Sequence, residues 1–218
     1  MARRLQGAAG FIKVGSQLFT SEGPRAVEKL AGLGFGIFLD LKFHDIPNTV
    51  AGAVAAAASL RSVRMMTVHA CGGLAMMQAA RKALAGKKRR PALLGVTILT
   101  SLDAAALRRV GISGSPASRA LALARLAKAS GLDGVVASAH EARAIRRACG
   151  SRFLIVVPGV RPSSASLDDQ SRVATPAQAI RNGADYVVVG RPVTAGPNPR
   201  KAALAIGEEI ALARRSSR

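Results

Sequence analysis

Seven short aliphatic runs, each followed by a longer segment rich in Ala, Leu and Arg, constrain the fold of this chain most strongly. The aliphatic runs indicate buried strands at 11–15, 36–41, 64–69, 92–97, 134–136, 153–157 and 186–189. Apolar residues at helical spacing indicate helices at 24–33, 49–60, 74–84, 118–129, 140–148, 176–182 and 199–214. Strands that alternate with helices pair in parallel through right-handed crossovers. The sequence therefore predicts an α/β chain of the (β/α)8 TIM barrel class.

Barrels of this class run to about 250 residues as one unit, so we expect a single (β/α) barrel domain over 1–218. An open doubly wound sheet is the alternative, but it predicts a GxGxxG loop after the first strand, where the chain reads KVGSQ. Only seven of the eight strands are visible, and residues 1–6 have the pattern of a helix end. We therefore expect the first strand to be missing, through truncation or a start placed too late.

The formal charge of +20 would ordinarily suggest an anionic partner such as a nucleic acid. The basic residues are scattered over nearly every predicted helix, however, and 24 of the 32 are arginine, which is typical of solvated helix faces under a compositional bias. The two basic runs, 87–90 and 214–215, contain no aromatic residue that could stack on a base. We predict that nucleic-acid binding is not the primary role.

The cysteines and the hydropathy pattern bear on the compartment. Cys71 and Cys149 are far apart and show no metal-ligand spacing, which favours a reducing compartment and argues against structural zinc. The longest weakly polar stretch, 50–60, is about half the length that a membrane span needs, and no signal-peptide pattern is visible. We therefore expect a cytoplasmic protein without a membrane partner.

Charged residues gather at the ends of the first two predicted strands, where barrel enzymes build their active sites. Asp40 and Lys42 are two apart, so we expect their side chains on one face, with Asp45 just beyond them. Lys13 ends the neighbouring strand and can join them, because buried charges must be paired. The pattern predicts an alternating Lys/Asp network as the centre of the chemistry; the alternative is a solvated ion pair at a strand end.

The last strands supply a candidate anion site. Gly190 allows close approach of a ligand to the backbone, Arg191 offers a fork of donors, and Arg161 follows the preceding strand. The strand-end histidines, His44 and His69, are interpreted as structural residues. Neither a metal-ligand spacing nor a Ser/His/Asp or Cys/His constellation is evident in the sequence, so no metal is predicted.

The run DLKFHDIPNTV at 40–50 resembles the signature of the orotidine 5′-phosphate decarboxylase family. The similarity continues, in the family's order, through FIKVG at 11–15, VHA at 68–70, VTILTS at 96–101, PGVRP at 158–162, DDQ at 168–170, GADY at 183–186 and GRP at 190–192. It covers roughly residues 11–194. The family opens with an additional strand whose aspartate holds a ribose hydroxyl, and that strand has no counterpart before Phe11.

The resemblance implies decarboxylation of orotidine 5′-monophosphate to UMP and CO2, the last step of de novo pyrimidine nucleotide synthesis, by a barrel that uses neither metal nor organic cofactor. Lys42 resembles the catalytic lysine and proton donor, flanked by Asp40 and Asp45, and Lys13 resembles the ribose-contacting lysine. Loss of CO2 leaves a carbanion, and a nearby lysine can supply both a cation and a proton.

The resemblance also implies a homodimer in which Asp45, Ile46 and Thr49 reach the site of the other subunit. The remaining substrate contacts that it implies are Thr100 for the pyrimidine, Gln170 for a loop position between base and phosphate, and Arg161, Gly190 and Arg191 for the phosphate.

Two other functions remain open from the sequence. One is a magnesium-dependent sugar-phosphate decarboxylase or aldolase of the same superfamily, which shares an Asp-x-Lys-x-x-Asp core. The other is an inactive, truncated barrel that serves as a basic nucleic-acid-binding or scaffold protein. The run IPNT at 46–49 and Arg161 argue against the first, and the complete Lys/Asp network argues against the second.

Overall fold

The computed structural model describes residues 1–162 and 174–216, and within these ranges strands alternate with helices. The strands are β1 (Phe11–Gly15), β2 (Gly36–Phe43), β3 (Val63–His69), β4 (Ala92–Val96), β5 (Gly134–Val136), β6 (Leu154–Pro158) and β7 (Tyr186–Val188). The helices are α1 (Ser16–Glu22), α2 (Pro24–Ala31), α3 (Pro47–Ala57), α4 (Gly73–Lys82), α5 (Ala104–Arg109), α6 (Pro116–Ala129), α7 (Ala139–Cys149), α8 (Pro176–Arg181), α9 (Arg191–Thr194) and α10 (Pro199–Arg215).

The chain divides into two compact units, Met1–Val96 with Leu126–Gly134 and Thr97–Arg125 with Val135–Arg218. In the first unit β1, β2, β3 and β4 lie in chain order, and neighbours pair in parallel. In the second unit β5, β6 and β7 follow in chain order, and β6 pairs with β7 in parallel. Neither order reverses, as a doubly wound sheet requires, so the prediction of the TIM barrel class is confirmed.

Aliphatic side chains of the parallel strands form the core. Ile37 and Leu39 of β2, Met66 of β3 and Ile155 of β6 are fully shielded from solvent. Parallel strands covered by helices bury both faces, which is why these runs are continuously apolar rather than alternating. The aromatic-poor composition is therefore compatible with a packed interior built from Val, Ile, Leu, Met and Ala.

Helix α7 shows how the local sequence sets the start and the end of an element. Ser138 accepts the N–H of His140, and the Glu141 carboxylate accepts the backbone N–H of Ser138, which together form a capping box. The helix ends at Gly150, whose φ of 83° lies in the left-handed region that glycine adopts without steric cost. These signals place α7 within one residue of its predicted bounds.

An aspartate of the first unit fixes the N-terminal end of β4. Asp133 precedes β5, and its carboxylate accepts two hydrogen bonds from the Arg90 guanidinium at 2.6 and 2.8 Å. It also accepts the Leu93 N–H at 2.8 Å. Burial acts to raise the pKa of Asp133, but the hydrogen bonds from Arg90 and Leu93 outweigh it and hold the pKa below its usual value.

The second unit repeats this arrangement between β6 and β7. Asp185 precedes β7 and accepts the Arg146 guanidinium at 2.6 Å and the Ile155 N–H at 2.7 Å. In both units the carboxylate binds the N–H of the second residue of the preceding strand and one arginine. Contacts at the N-terminal ends of barrel strands serve stability rather than catalysis, so we treat these two aspartates as structural.

The structure also contains elements that the sequence pattern did not predict. Helices α1, α5 and α9 are additional, and a short 3₁₀ helix, Ala2–Leu5, occupies the N-terminal segment that was expected to resemble a helix end. β2 runs two residues beyond its predicted end, to Phe43. Among the described helices, none is sufficiently long and apolar to cross a membrane.

Candidate active site

The first unit brings Lys13, Asp40 and Lys42 into one ion-pair network. The Asp40 carboxylate is the centre: its Oδ2 lies 2.8 Å from Lys42 Nζ and 3.4 Å from Lys13 Nζ. Asp40 is almost fully buried, with a side-chain exposure of 10%, whereas the two lysine side chains are 37% and 34% exposed. One anion between two cations leaves a net positive charge at the solvent-facing side, which favours an anionic ligand.

The predicted face-sharing of Asp40 and Lys42 occurs, but not through a regular strand. Lys42 has a φ of 53°, and among the described residues it is the one non-glycine residue with positive φ. Such a backbone costs on the order of 1–3 kcal/mol and persists only where the surroundings enforce it, most often at functional sites. Lys42 adopts this left-handed conformation while its ammonium group contacts Asp40.

Thr67 of β3 also belongs to this network, and the sequence reasoning missed it. Its hydroxyl accepts the backbone N–H of Lys42 at 2.9 Å and donates to Asp40 Oδ1 at 3.1 Å. The only sequence signal is a hydroxyl residue inside the aliphatic run MMTV at 65–68, which a buried strand ordinarily would not contain.

Gly15 gives the Lys13 ammonium group room to approach Asp40. The residue pairs with Asp40 across β1 and β2. A Cβ at this position would lie 3.0 Å from Lys13 Nζ, closer than nearly all Cβ contacts in proteins. The glycine that ends β1 is therefore part of the site and not only a strand terminator.

Asp45, predicted to flank Lys42, lies on the loop before α3 and is exposed. Its Oδ1 accepts the N–H of Ile46 at 2.6 Å, and among the described residues Asp45 makes no ion pair within 4.0 Å. Ile46 and Thr49 are exposed as well, and Ile46 presents 66% of its surface to solvent. The structure thus brings together three of the four predicted catalytic residues.

His44, His69 and Cys71 form a cluster next to this network. Cys71 Sγ lies 2.9 Å from His69 Nδ1 and 3.9 Å from His44 Nε2. Burial, followed by the charges of His44 and Lys42, lowers the pKa of His69, and burial raises the pKa of the Cys71 thiol. In the described ranges, His, Cys, Asp and Glu residues nowhere form a group of three that could hold a metal ion.

The other predicted substrate contacts belong to the second unit. Arg161 follows β6 and is 5% exposed, while Gly190 and Arg191 are exposed at the start of α9. A Cβ added to Gly190 would meet no described atom within 4 Å. Thr100 is half-buried in the turn after β4, and Gln170 falls outside the described residues.

Comparison with known proteins identifies the family. The model of the orotidine 5′-phosphate decarboxylase / HUMPS family matches residues 1–206. The chain belongs to this family. A relative named orotidine 5′-phosphate decarboxylase from Halorhodospira halophila is 55% identical over 93% of this chain and 85% of its own length. The enzyme of the same name from Nitrosococcus oceani is 52% identical, over 96% of this chain and 90% of the relative.

Solved structures agree with this membership in the orotidine 5′-phosphate decarboxylase / HUMPS family. The crystal structure of orotidine 5′-phosphate decarboxylase from Lactobacillus acidophilus has a TM-score of 0.79 and 41% sequence identity, covering 91% of this chain and 85% of that one. The family resemblance inferred from the motifs is therefore confirmed, and the TIM barrel class with it.

Proposed function

We propose that the chain converts orotidine 5′-monophosphate to UMP and CO2, the last step of de novo pyrimidine nucleotide synthesis. The observation that carries the proposal is the Lys13–Asp40–Lys42 network in a chain more than half identical to proteins named for this activity. The reaction is that of a carbon–carbon lyase: the C6 carboxylate leaves as CO2, a proton takes its place on C6, and no redox change occurs.

Lys42 is the proton donor in this proposal. When the bond between C6 and the carboxylate breaks, its electron pair stays on C6 and CO2 departs. The Lys42 ammonium stabilises that charge and then transfers a proton to C6, which leaves a neutral amine that water reprotonates. Its 2.8 Å contact with Asp40 supports this role, since the carboxylate holds the ammonium group in a fixed place.

Asp40 and Lys13 orient this donor and hold the ribose. Asp40 forms ion pairs with both ammonium groups, so it fixes where their positive charges lie. Positive charge held in place before the reaction stabilises a developing carbanion without a reorganisation cost. The ammonium groups of Lys13 and Lys42 are partly exposed, so they have N–H donors available for ribose hydroxyls.

The phosphate is held by Arg161, Gly190 and Arg191, with Thr100 at the pyrimidine and Gln170 between the two. Arginine forks match phosphate oxygens, and the absence of a Cβ at Gly190 lets an anion approach the backbone N–H groups. Binding energy from a phosphate remote from C6 can contribute to transition-state stabilisation.

We further propose that residues 1–218 act as one barrel domain, without metal or organic cofactor, in the cytoplasm.

The chain functions as a homodimer with shared sites in this proposal. Exposure of Asp45, Ile46 and Thr49, and the absence of a Lys42–Asp45 ion pair in the described chain, suit residues that serve a second copy. Mixing and refolding inactive Lys42→Ala with inactive Asp45→Ala tests this. Random pairing restores about a quarter of the native sites, because half of the dimers are mixed and each has one intact site. No activity above that of the parents would reject shared sites.

Loss of orotidylate absorbance with formation of UMP, followed with and without EDTA, tests the activity itself. We expect turnover that EDTA leaves unchanged. A magnesium requirement together with turnover of a sugar phosphate would instead establish the sugar-phosphate decarboxylase or aldolase. Absence of UMP combined with salt-dependent RNA binding that persists in Lys42→Ala would establish the nucleic-acid-binding alternative.

A further inference from the structure

Thr67 lies opposite an irregularity in β2 that contains the candidate proton donor. Leu39 pairs with Met66 and Phe43 pairs with Val68, so three residues of β2 face the single residue Thr67 of β3. Residues bulged out of a ladder lose their regular partners, and bulges commonly redirect a side chain near an active site. The three residues are Asp40, Leu41 and Lys42.

The Thr67 hydroxyl takes the place of a ladder acceptor for Lys42. It accepts the Lys42 N–H at 2.9 Å, so its own proton must point elsewhere, and Asp40 Oδ1 is the acceptor at 3.1 Å. One hydroxyl thus holds both the backbone of Lys42 and the Asp40 carboxylate that pairs with the Lys42 ammonium group. Thr67 is fully buried, so water cannot take over either bond without a rearrangement.

The two Asp40 oxygens have different partners as a result. Oδ1 accepts Thr67, while Oδ2 receives Lys42 at 2.8 Å and Lys13 at 3.4 Å. Rotation of the carboxylate would move both oxygens together, so the Thr67 bond to Oδ1 also resists displacement of Oδ2 from the two lysines. The threonine therefore sets the plane in which Asp40 holds both cations.

We propose that Thr67 is a positioning residue for decarboxylation, which holds Lys42 in its left-handed backbone conformation and locks the Asp40 carboxylate, so that Lys42 Nζ is set for proton transfer. This inference rests on the proposed function. Thr67 acts through Lys42 and Asp40, and no direct contact with the substrate is required.

Replacement of Thr67 by valine keeps the side-chain volume but removes both hydrogen bonds. The Lys42 N–H then has no acceptor, and relaxation of the backbone toward a negative φ moves Nζ away from its place beside Asp40. Misplacement of a catalytic group by about 1 Å costs on the order of a hundredfold in rate, so we expect kcat to fall by about that factor with a much smaller change in KM.

Thr67→Ser separates positioning from packing, because it restores the hydroxyl and loses only a methyl group. We expect kcat of this variant to lie close to that of the unmutated protein. Ser130→Ala is the control for removal of a buried hydroxyl elsewhere, since Ser130 donates to the Leu126 carbonyl at 2.8 Å in α6. It should lower thermal stability to a comparable extent and leave kcat unchanged.

Steady-state kinetics of the three variants with orotidine 5′-monophosphate test the inference. Native kcat in Thr67→Val, or equal losses in Thr67→Val and Thr67→Ser, would overturn it. Absence of turnover in the unmutated protein would reject the proposed function. A crystal structure of Thr67→Val would then test separately whether Thr67 positions Lys42 and Asp40. That structure should show Lys42 outside the left-handed region and its contact with Asp40 lost; an unchanged Lys42 would overturn the inference in that case too.

Discussion

Mutation of the Asp133–Arg90 pair tests whether the N-terminal ends of the strands contribute to stability without contributing to catalysis. Asp133→Asn keeps the shape of the side chain, and the amide oxygen can still accept the Leu93 N–H. The change removes the negative charge that binds Arg90 through hydrogen bonds of 2.6 and 2.8 Å. We expect lower stability and unchanged turnover per folded molecule, because the pair lies at the N-terminal ends of β4 and β5.

The geometry of the pair sets the expected size of the effect. The Arg90 and Asp133 side chains are 29% and 22% exposed, so solvent screens the pair only in part. Hydrogen bonds to charged groups contribute about 1.5–3 kcal/mol, and fully exposed pairs about 0–1 kcal/mol. A bidentate, partly buried ion pair should therefore contribute about 2 kcal/mol to the free energy of unfolding. For a chain of 218 residues, that corresponds to a decrease in Tm of about 4–8 °C.

The effect should depend on pH with a definite sign. The pKa of Asp133 in the folded chain is lowered from an ordinary value of 3.8. A lowered folded pKa means that the stabilisation is fully present above the unfolded pKa and is lost as pH falls through the folded value. The stability difference between the unmutated protein and Asp133→Asn should therefore be complete at neutral pH and shrink in strong acid.

Urea unfolding of both proteins, at neutral pH and in acid, measures this difference. Asp103→Asn is the control, since exposed Asp103 caps α5 by accepting the Ala106 N–H, and asparagine caps helices equally well. A loss in Asp133→Asn no larger than in the control, or one that persists undiminished in acid, would refute the reasoning.

Three further predictions concern other parts of the chain. Gly15→Ala should displace the Lys13 ammonium from its 3.4 Å contact with Asp40 and raise KM severalfold with the fold retained, whereas Gly10→Ala, whose Cβ would meet no atom within 4 Å, should have no effect on KM. His69→Gln should flatten the loss of stability as pH falls through the ordinary histidine pKa of 6.5, since burial lowers the pKa of folded His69 and its protonation favours the unfolded chain; identical pH profiles of the urea midpoint in the two proteins would contradict this. Ser138→Ala should cost about 1 kcal/mol of unfolding free energy through loss of the α7 cap, and Ser138→Thr, which keeps the capping hydroxyl, should show most of the native stability in thermal melts.

The sequence predicted the strands well where a mostly aliphatic run begins or ends at a glycine. β1 and β5 have the predicted bounds, because a buried parallel strand leaves a strong local pattern. Short helices without such a pattern were missed: α1 (Ser16–Glu22) has no buried residue, so its composition does not show an apolar face.

The candidate site was predictable in its charged residues and not in what holds them. Lys13, Asp40 and Lys42 stand out because charges inside apolar runs require partners. The hydrogen bond from the bulged Lys42 to Thr67 joins positions 25 residues apart. Local periodicity in the sequence does not predict such a long-range bond. The same limit applies to Asp133, whose partner Arg90 is 43 residues away.

The role of Lys42 as proton donor is tested most directly by the turnover of Lys42→Ala. Exposed Lys82, at the end of α4, provides a matched control as Lys82→Ala. Removal of a general acid typically costs about 10²- to 10⁴-fold, and loss of the stabilising cation adds to this, so we expect nearly complete loss of UMP formation in Lys42→Ala. Circular dichroism should show the fold retained, and Lys82→Ala should turn over normally. Normal turnover in Lys42→Ala would contradict the assignment of Lys42.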